Sequence, residues 1–401
     1  MKAIVVKRKP VRFARARIAA ELDSGKGAAH LLRLEDIDEP ALPTPEWQRV
    51  RPLLAGICGS DLATVDARSS RWFESIVSFP FTPGHEIVGL TDDDRRVVVE
   101  PVLGCAPRGL PLCTGCGEHH PDRCERLAVG GLQPGLQTGY CADTGGGWGQ
   151  VLIAHPSQLH EVPDDLADAE AALVEPAACS IHAALSPVFG TDDGIVAVLG
   201  AGTLGLGIVA ALKAYAMPDR LVVGARYPEQ KAFAKRFGAT DVVAGSELKR
   251  AIRRISGSFE LTNGSLTGGA HVTFDCVGSS ASLTDAIDMT CPGGTIVLVG
   301  MAAGVQLDLT PLWQKQIRLQ GAYAYGVEHH PSAADPRSTF DMALELVKSA
   351  GLGDLLSASY PLDRFTDAIE HAAHAGPRGA IKVALAPNPA LRSPSQRKAG
   401  S

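Results

Sequence analysis

The sequence predicts an α/β protein of two domains, one irregular and β-rich, the other built on a doubly wound parallel sheet. Three observations carry this expectation. The chain has 401 residues, 45% of them hydrophobic, which is more apolar material than a single domain normally uses. Aromatic residues make up only 5% while glycine reaches 43, a composition that suits α/β layers with many turns better than a β-sandwich. The rhythm of the chain also changes near residue 190, from short apolar runs broken by Gly and Pro to a repeated alternation of strand and helix.

In the first segment, 1–190, the runs AIVV (3–6), RVVVEP (96–101) and GQVLIAH (149–155) read as strands, and helices are expected to be scarce. The second segment, 191–323, holds IVAVL (195–199), LVVGA (221–225), DVVA (241–244), VTFDCV (272–277) and TIVLVG (295–300), with helical periodicity between several of them. This is the pattern of a parallel sheet with crossover helices. The third segment, 324–387, contains a polar loop at 328–338, a helix near 339–350 and the strand-like AIKVAL (380–385), and is expected to rejoin the first domain. Residues 388–401 combine Pro, Ser and basic residues without apolar periodicity and are expected to be a disordered tail. No internal repeat is visible.

The net charge of −6, with Lys and Arg dispersed through the chain, gives no electrostatic footprint for nucleic acid. No stretch approaches the ~18 apolar residues of a membrane span, and the apolar stretch in MKAIVVKRKP is too short for a signal-peptide core. The expectation is a cytoplasmic protein acting on a small molecule, without a nucleic-acid or membrane partner. Nine cysteines, four of them between 105 and 124, favour metal binding over a disulfide framework in such a chain.

Gly200, Gly202 and Gly205 in GAGTLG follow the strand IVAVL and open an apolar helical run. In such a turn the first glycine permits the tight bend, the second lets the backbone approach a pyrophosphate, and the third allows close packing of helix on strand. The pyrophosphate would lie over the exposed amides of the helix N-terminus. The next strand ends in Ala225, and Arg226 follows where an acidic residue would bind a ribose 2′-hydroxyl. Arg226 offers a planar charged fork for a 2′-phosphate and Tyr227 could cover an adenine, so NADP(H) is expected in preference to NAD(H). Thr203 and Leu204 in the turn, and Val277, Gly278, Val299 and Gly300 where later strands finish, complete the candidate nucleotide contacts.

Three further segments present metal-ligating side chains: GICGSD with Cys58, FTPGHEIVG with His85 and Glu86, and LVEPAACSIHAAL with Glu175. A thiolate, an imidazole and a carboxylate are what an open zinc site takes, leaving a position for water or substrate. With these segments, the glycine turn and the order of domains, nearly the whole chain resembles the zinc-containing medium-chain dehydrogenases, nearest the polyol, glucose and threonine dehydrogenases. The resemblance implies a GroES-like catalytic domain joined to a Rossmann domain. It implies that Cys58 and His85 bind a catalytic zinc, with Glu175 and Glu86 as further or exchangeable ligands. Asp61 would accept a hydrogen bond from a ligand histidine, fixing its tautomer, and Ser60 would take the proton of the substrate. Many relatives carry a relay histidine five positions after the ligand cysteine, where this chain has Ala63.

The spacing Cys113-x2-Cys116-x7-Cys124 matches the last three ligands of the family's structural zinc loop, within a lobe at about 104–125. Leu110 occupies the usual place of the first ligand, so Cys105 is expected to complete the site across a longer loop. The family also implies a homodimer or homotetramer. The expected activity is zinc-dependent hydride transfer between NADP(H) and an alcohol or carbonyl, such as a polyol, a sugar or another secondary alcohol. The rival readings are a zinc-free quinone or enoyl reductase on the same fold and a non-catalytic NADPH-binding protein.

Overall fold

A computed structural model describes residues 1–187, 194–329 and 335–391 and divides the chain into two compact units. The first unit comprises Met1–Glu175, Tyr325–Val327 and Ala343–Ser401, the second Pro176–Ala324 and Glu328–Met342. The division therefore falls at 175/176, earlier than residue 190, and 328–342 stays with the second unit. The reason is visible in the contacts. Ser180 on the helix Val174–Leu185 donates to the Leu204 carbonyl (3.3 Å), and a Cβ on Gly207 would come within 2.3 Å of the Ser180 hydroxyl. The Glu328 carboxylate meets His182 Nδ1 at 2.5 Å, and Tyr215 donates to the Met342 carbonyl.

The second unit is a six-stranded parallel sheet with the order 241–243, 220–224, 195–199, 270–275, 290–298, 318–321. Chain order reverses between Ile195–Leu199 and Ala270–Asp275, which is where an open α/β sheet binds its ligand. Ala197, Val222, Leu248, Ile252, Ala286 and Ile296 form part of its core.

The first unit holds a seven-stranded sheet in which the Gln48–Gly56 strand pairs with Glu86–Thr91, Leu152–Ala154 and Lys382–Ala386. Strands at 356–361 and 382–386 bring the end of the chain beside residues near its start. Asn388, placed in the expected disordered tail, is fixed: its amide donates to the carbonyls of Pro52 (3.0 Å) and Gln150 (2.9 Å). Residues 392–401 of that tail lie outside the described residues.

Helices are also less scarce in the first unit than expected. The helix Pro10–Leu22 stands between the paired strands Lys2–Val6 and Leu32–Asp36. Proline at its first position lacks an N–H where none would find an intrahelical acceptor, and Ala16 and Ala20 form its buried stripe. The polypeptide after this helix docks on Asp66, which is buried and accepts from the Ser24 hydroxyl (2.7 Å) and the Gly25 N–H (3.0 Å). Asp66 caps the end of the helix Gly59–Val65, so the docked segment abuts the helix that carries Ser60 and Asp61. Replacing Asp66 by Ala removes the acceptor of a buried N–H, and an equilibrium urea titration should show a loss of about 1–3 kcal/mol of stability.

Candidate active site

Cys58 is the N-cap of the helix Gly59–Val65 and Asp61 is its third residue. A carboxylate there can reach back to the N-cap amide, and the Cys58 N–H donates to Asp61 Oδ2 at 2.9 Å. The other oxygen of Asp61 faces His85 Nδ1 at 3.6 Å, leaving Nε2 directed toward the Ser60 hydroxyl, 3.4 Å away. One carboxylate thus starts a helix and places its second oxygen beside a neighbouring ring, close enough to act on it electrostatically. His85 itself is aimed by the turn before it. Gly84 lies at φ +94°, and a Cβ there would strike Trp148 at 2.4 Å.

Donor atoms of Cys58, His85 and Glu86 lie within 4.8 Å of one another. Glu175 is buried and close enough to act electrostatically on His85, but it stands outside that trio. The set is a partly exposed thiol with a buried imidazole and a buried carboxylate, and Nδ1 of His85 already turns to Asp61, so the residues fit a zinc ion with an open position. Burial disfavours charge on the His85 ring, yet Asp61, Cys58 and Glu175 outweigh it and push its pKa up to about 10. Metal entering here displaces a proton. Burial pushes the Asp61 carboxyl up, against the pull of His85 and of the Cys58 amide.

Lys382 was not among the residues singled out in the sequence. It is 4% exposed and forms an ion pair with Glu86 beneath the trio. Gly56, opposite Glu86 in the antiparallel register, makes room for this pair: a Cβ there would lie 1.9 Å from Glu86 Oε2 and 2.8 Å from Lys382 Cε. Burial opposes the charge on Lys382, but Glu86, Cys58 and Glu175 outweigh it and raise its pKa. The clue was a lysine inside an otherwise apolar strand, which is rarely buried without a partner.

The second cluster joins the sulfurs of Cys105, Cys113, Cys116 and Cys124, also within 4.8 Å. The longer excursion to Cys105 is organised by Arg108, another residue the sequence did not single out. Its buried guanidinium donates to the carbonyls of Leu103, Val129, Leu132 and Gly135. The N–H of Cys113 points at the Cys105 sulfur and that of Arg126 at the Cys124 sulfur, both at 3.4 Å. Backbone N–H groups of Cys116 and Glu125 draw the Cys113 thiol down to about 6, so a thiolate is available at neutral pH. Four sulfurs with no open position make a closed site. His119 is exposed, and His120 is turned toward Asp122 at 3.4 Å.

In the second unit, Gly200 adopts φ +91° and Gly205 lies against it, where a Cβ would be 1.9 Å from the Gly200 carbonyl oxygen. Gly202 caps the helix Thr203–Ala211, Leu204 lies in its first turn, and the space over the Gly202 Cα is open, as a backbone approaching a pyrophosphate requires. Val277 and Gly278 donate to Asp275 Oδ1, while Val299 and Gly300 donate to the Asp275 carbonyl, so both strand ends meet beside the glycine turn. At the next strand end Ala225 is buried. Arg226 is exposed, its guanidinium 5.4 Å from the Tyr227 ring centre. Gln230 accepts from both their amides and starts the following helix. Of the segments considered for substrate contact, Trp72 is 73% exposed, whereas Phe73 and Phe79 pack on the core of the first unit. Residues 330–334 lie outside the described residues.

Residues 44–164 match the alcohol dehydrogenase GroES-like domain and residues 203–349 the zinc-binding dehydrogenase family. An L-threonine 3-dehydrogenase of Mesorhizobium japonicum is 30% identical over 301 residues, 72% of this chain and 79% of its own. An L-idonate 5-dehydrogenase of Vitis vinifera is 27% identical over 313 residues, 75% of this chain and 76% of its own. The galactitol-1-phosphate dehydrogenase structure from Escherichia coli has the same fold, with a TM-score of 0.69 at 20% identity, covering 96% of this chain and all of that one.

The Lys382–Glu86 pair yields a stability test. Lys382→Met leaves a buried carboxylate uncompensated and should cost about 3–5 kcal/mol in chemical denaturation. Adding Glu86→Gln should return a large part of that loss.

Proposed function

This chain belongs to the zinc-binding, GroES-like alcohol dehydrogenase family, and from that premise we propose that it is a zinc-dependent dehydrogenase moving hydride between NADP(H) and the carbinol carbon of a small alcohol, in either direction. The observation that carries the reading is the convergence of the partly exposed Cys58 thiol on the buried side chains of His85 and Glu86. A zinc-free reductase would have no use for three such ligands, nor for Asp61 orienting one of them.

Cys58 and His85 would hold the zinc, with Glu86 and Glu175 as carboxylates able to approach or withdraw. When bound, the metal polarises the substrate oxygen and the nicotinamide accepts or returns the hydride. The work of the chain itself is positional. Asp61 keeps His85 in one orientation, Lys382 balances Glu86, and Ser60 receives the proton of the substrate hydroxyl. Cys105, Cys113, Cys116 and Cys124 would hold a second, structural zinc. Gly200, Gly202 and Gly205 would seat the pyrophosphate, and Arg226 would pair with a 2′-phosphate. The names of the relatives favour polyols, sugar acids and amino alcohols as the substrate class. As in the family, the working particle would be a homodimer or homotetramer.

Elemental analysis of purified protein should give about two zinc ions per chain, falling to about one in Cys58→Ser. An unchanged zinc content in that variant would sink the assignment. Nicotinamide fluorescence titration should show NADPH bound more tightly than NADH. Arg226→Ala should weaken NADPH by about ten- to a hundredfold while leaving NADH nearly unaffected, the worth of one charge-assisted contact.

A further inference from the structure

The helix Pro10–Leu22 takes no part in the chemistry above and lies outside the residues matched by either family model. One side of it is accounted for: Ala16 and Ala20 are buried, and Phe13 packs with Ala16 on the core of the first unit. The opposite side is apolar too. Val11, Ile18 and Leu22 recur at i, i+7 and i+11, which sets them in one line along the helix, and they are 65%, 63% and 84% exposed. Apolar side chains scattered singly over a surface are ordinary, but three in register on one helix, with the exposed Ala14 between them, form a continuous stripe.

The flanks of this stripe are cationic. Six of the eleven residues 7–17 are Lys or Arg and none is acidic, in a chain whose net charge is −6. The carboxylates nearby are already engaged: Glu35 by Lys7 (2.6 Å), Glu74 by Arg8 (3.2 Å), Glu21 by Arg17 (3.7 Å) and Asp23 by His374 (2.7 Å). Among the described residues, Lys9, Arg12 and Arg15 pair with no carboxylate. Arg15 stands four residues after Val11 and three before Ile18, so its side chain borders both. The short helix Arg71–Ile76, tied to Arg8 through Glu74, adds Arg71 and the 73% exposed Trp72 to the same region.

The charge and the apolar stripe together select the occupant. A second copy of the chain would set these cations against their own kind, a costly juxtaposition. A polyanion without apolar surface would leave Val11, Ile18 and Leu22 in water, and an acidic protein would need a preformed groove to fit a single convex helix. An anionic bilayer meets both demands, its phosphates taking the cations and its acyl boundary the stripe. We propose that the helix Pro10–Leu22 docks this protein on anionic phospholipid membranes. It lies in the plane of the surface, with Val11, Ile18 and Leu22 turned into the acyl boundary and Lys9, Arg12 and Arg15 reaching the phosphates. Long cationic side chains suit this geometry, because their methylene stems lie along apolar surface while the charged ends stay at the wet level. The proposal revises the expectation of a chain without a membrane partner, which rested on the lack of a spanning segment. No helix among the described residues is long and apolar enough to cross a membrane, but a helix lying on one needs no such length.

The test sediments the full-length protein with vesicles of phosphatidylcholine alone and of phosphatidylcholine mixed with phosphatidylglycerol, each at low and at high salt. Wild type is compared with Ile18→Ser, with Leu22→Ser, with the double variant Lys9→Gln, Arg15→Gln, and with Phe259→Ser, a control on the second unit where Phe259 is 79% exposed. Circular dichroism and a urea midpoint accompany each, and because Ile18 and Leu22 are both exposed and tested separately, a loss of fold in one leaves the other to decide. Wild type should partition about a hundredfold more strongly into the anionic vesicles than into the neutral ones, with the difference shrinking at high salt. Ile18→Ser, Leu22→Ser and the double variant should each weaken that partition by about tenfold with the fold intact, and Phe259→Ser should behave as wild type. Failure of wild type to prefer anionic vesicles would overturn the proposal and leave the stripe to an acidic protein. Serine variants that bind as tightly as wild type would reduce the attraction to charge alone and overturn it, as would an equal loss in Phe259→Ser. Light scattering without lipid supplies the remaining outcome: a particle whose mass halves in Ile18→Ser would assign the stripe to a second copy and overturn membrane docking. None of these readouts depends on turnover, so the proposal stands or falls apart from the dehydrogenase reading.

Discussion

The first unit depends on how a concentration of acidic groups is kept charged out of water. Asp61, Glu86 and Glu175 are buried near one another, and isolated ionised carboxylates there would cost several kcal/mol each. Lys382 and His85 are the cations that offset them. The pairing is also specific in position. Lys382 reaches Glu86 only because Gly56 has no side chain, and Gly56 faces Glu86 only because the strands Gln48–Gly56 and Glu86–Thr91 keep their register. A one-residue slip would set a side chain in place of Gly56 against the Glu86 carboxylate and so disrupt the buried pair. The polar site thus reinforces the register of the sheet that bears it.

Asp61 shows a similar economy. The oxygen that caps the helix through Cys58 fixes the position of the carboxylate, and only then can the second oxygen face His85. A helix-starting interaction and a ligand-orienting one are the same residue, so a residue of different length could not serve both ends.

These dependencies explain what was legible in the sequence. The strand Ile195–Leu199 was read at its observed bounds because an unbroken apolar run meets a glycine turn. Cys58, His85, Glu86 and the four lobe cysteines were visible because metal ligands and their spacing are local patterns, and the structure brings each group together. The strand Gln48–Gly56 escaped notice because Pro52 sits in its middle and the adjacent Leu53 and Leu54 end its alternation, although it is central to its sheet. The helix Pro10–Leu22 was hidden because its buried stripe is two alanines among three arginines, too weak an apolar signal to count as periodic. Lys382 and Arg108 were illegible as site residues for another reason. Each matters only through a partner set by tertiary contact: Glu86 for the first, a ring of carbonyls for the second.

The two sulfur-bearing sites differ in what supports them, and this bears on how each responds to the loss of a metal. The Cys58 and His85 positions are imposed by a helix, a strand and a buried ion pair, none of which needs an ion to form. The lobe has no comparable frame. Its own cluster consists of Cys105, Cys113 and Cys124 with Leu110, Cys116 and Leu127 at the margin, held in large part by Arg108 and amides pointing at sulfur. Four thiols brought within 4.8 Å repel one another once they ionise, so a cation of high affinity contributes directly to the folding of the lobe. A metal at the open site would then act on a frame that already exists, whereas a metal in the lobe would be part of the fold.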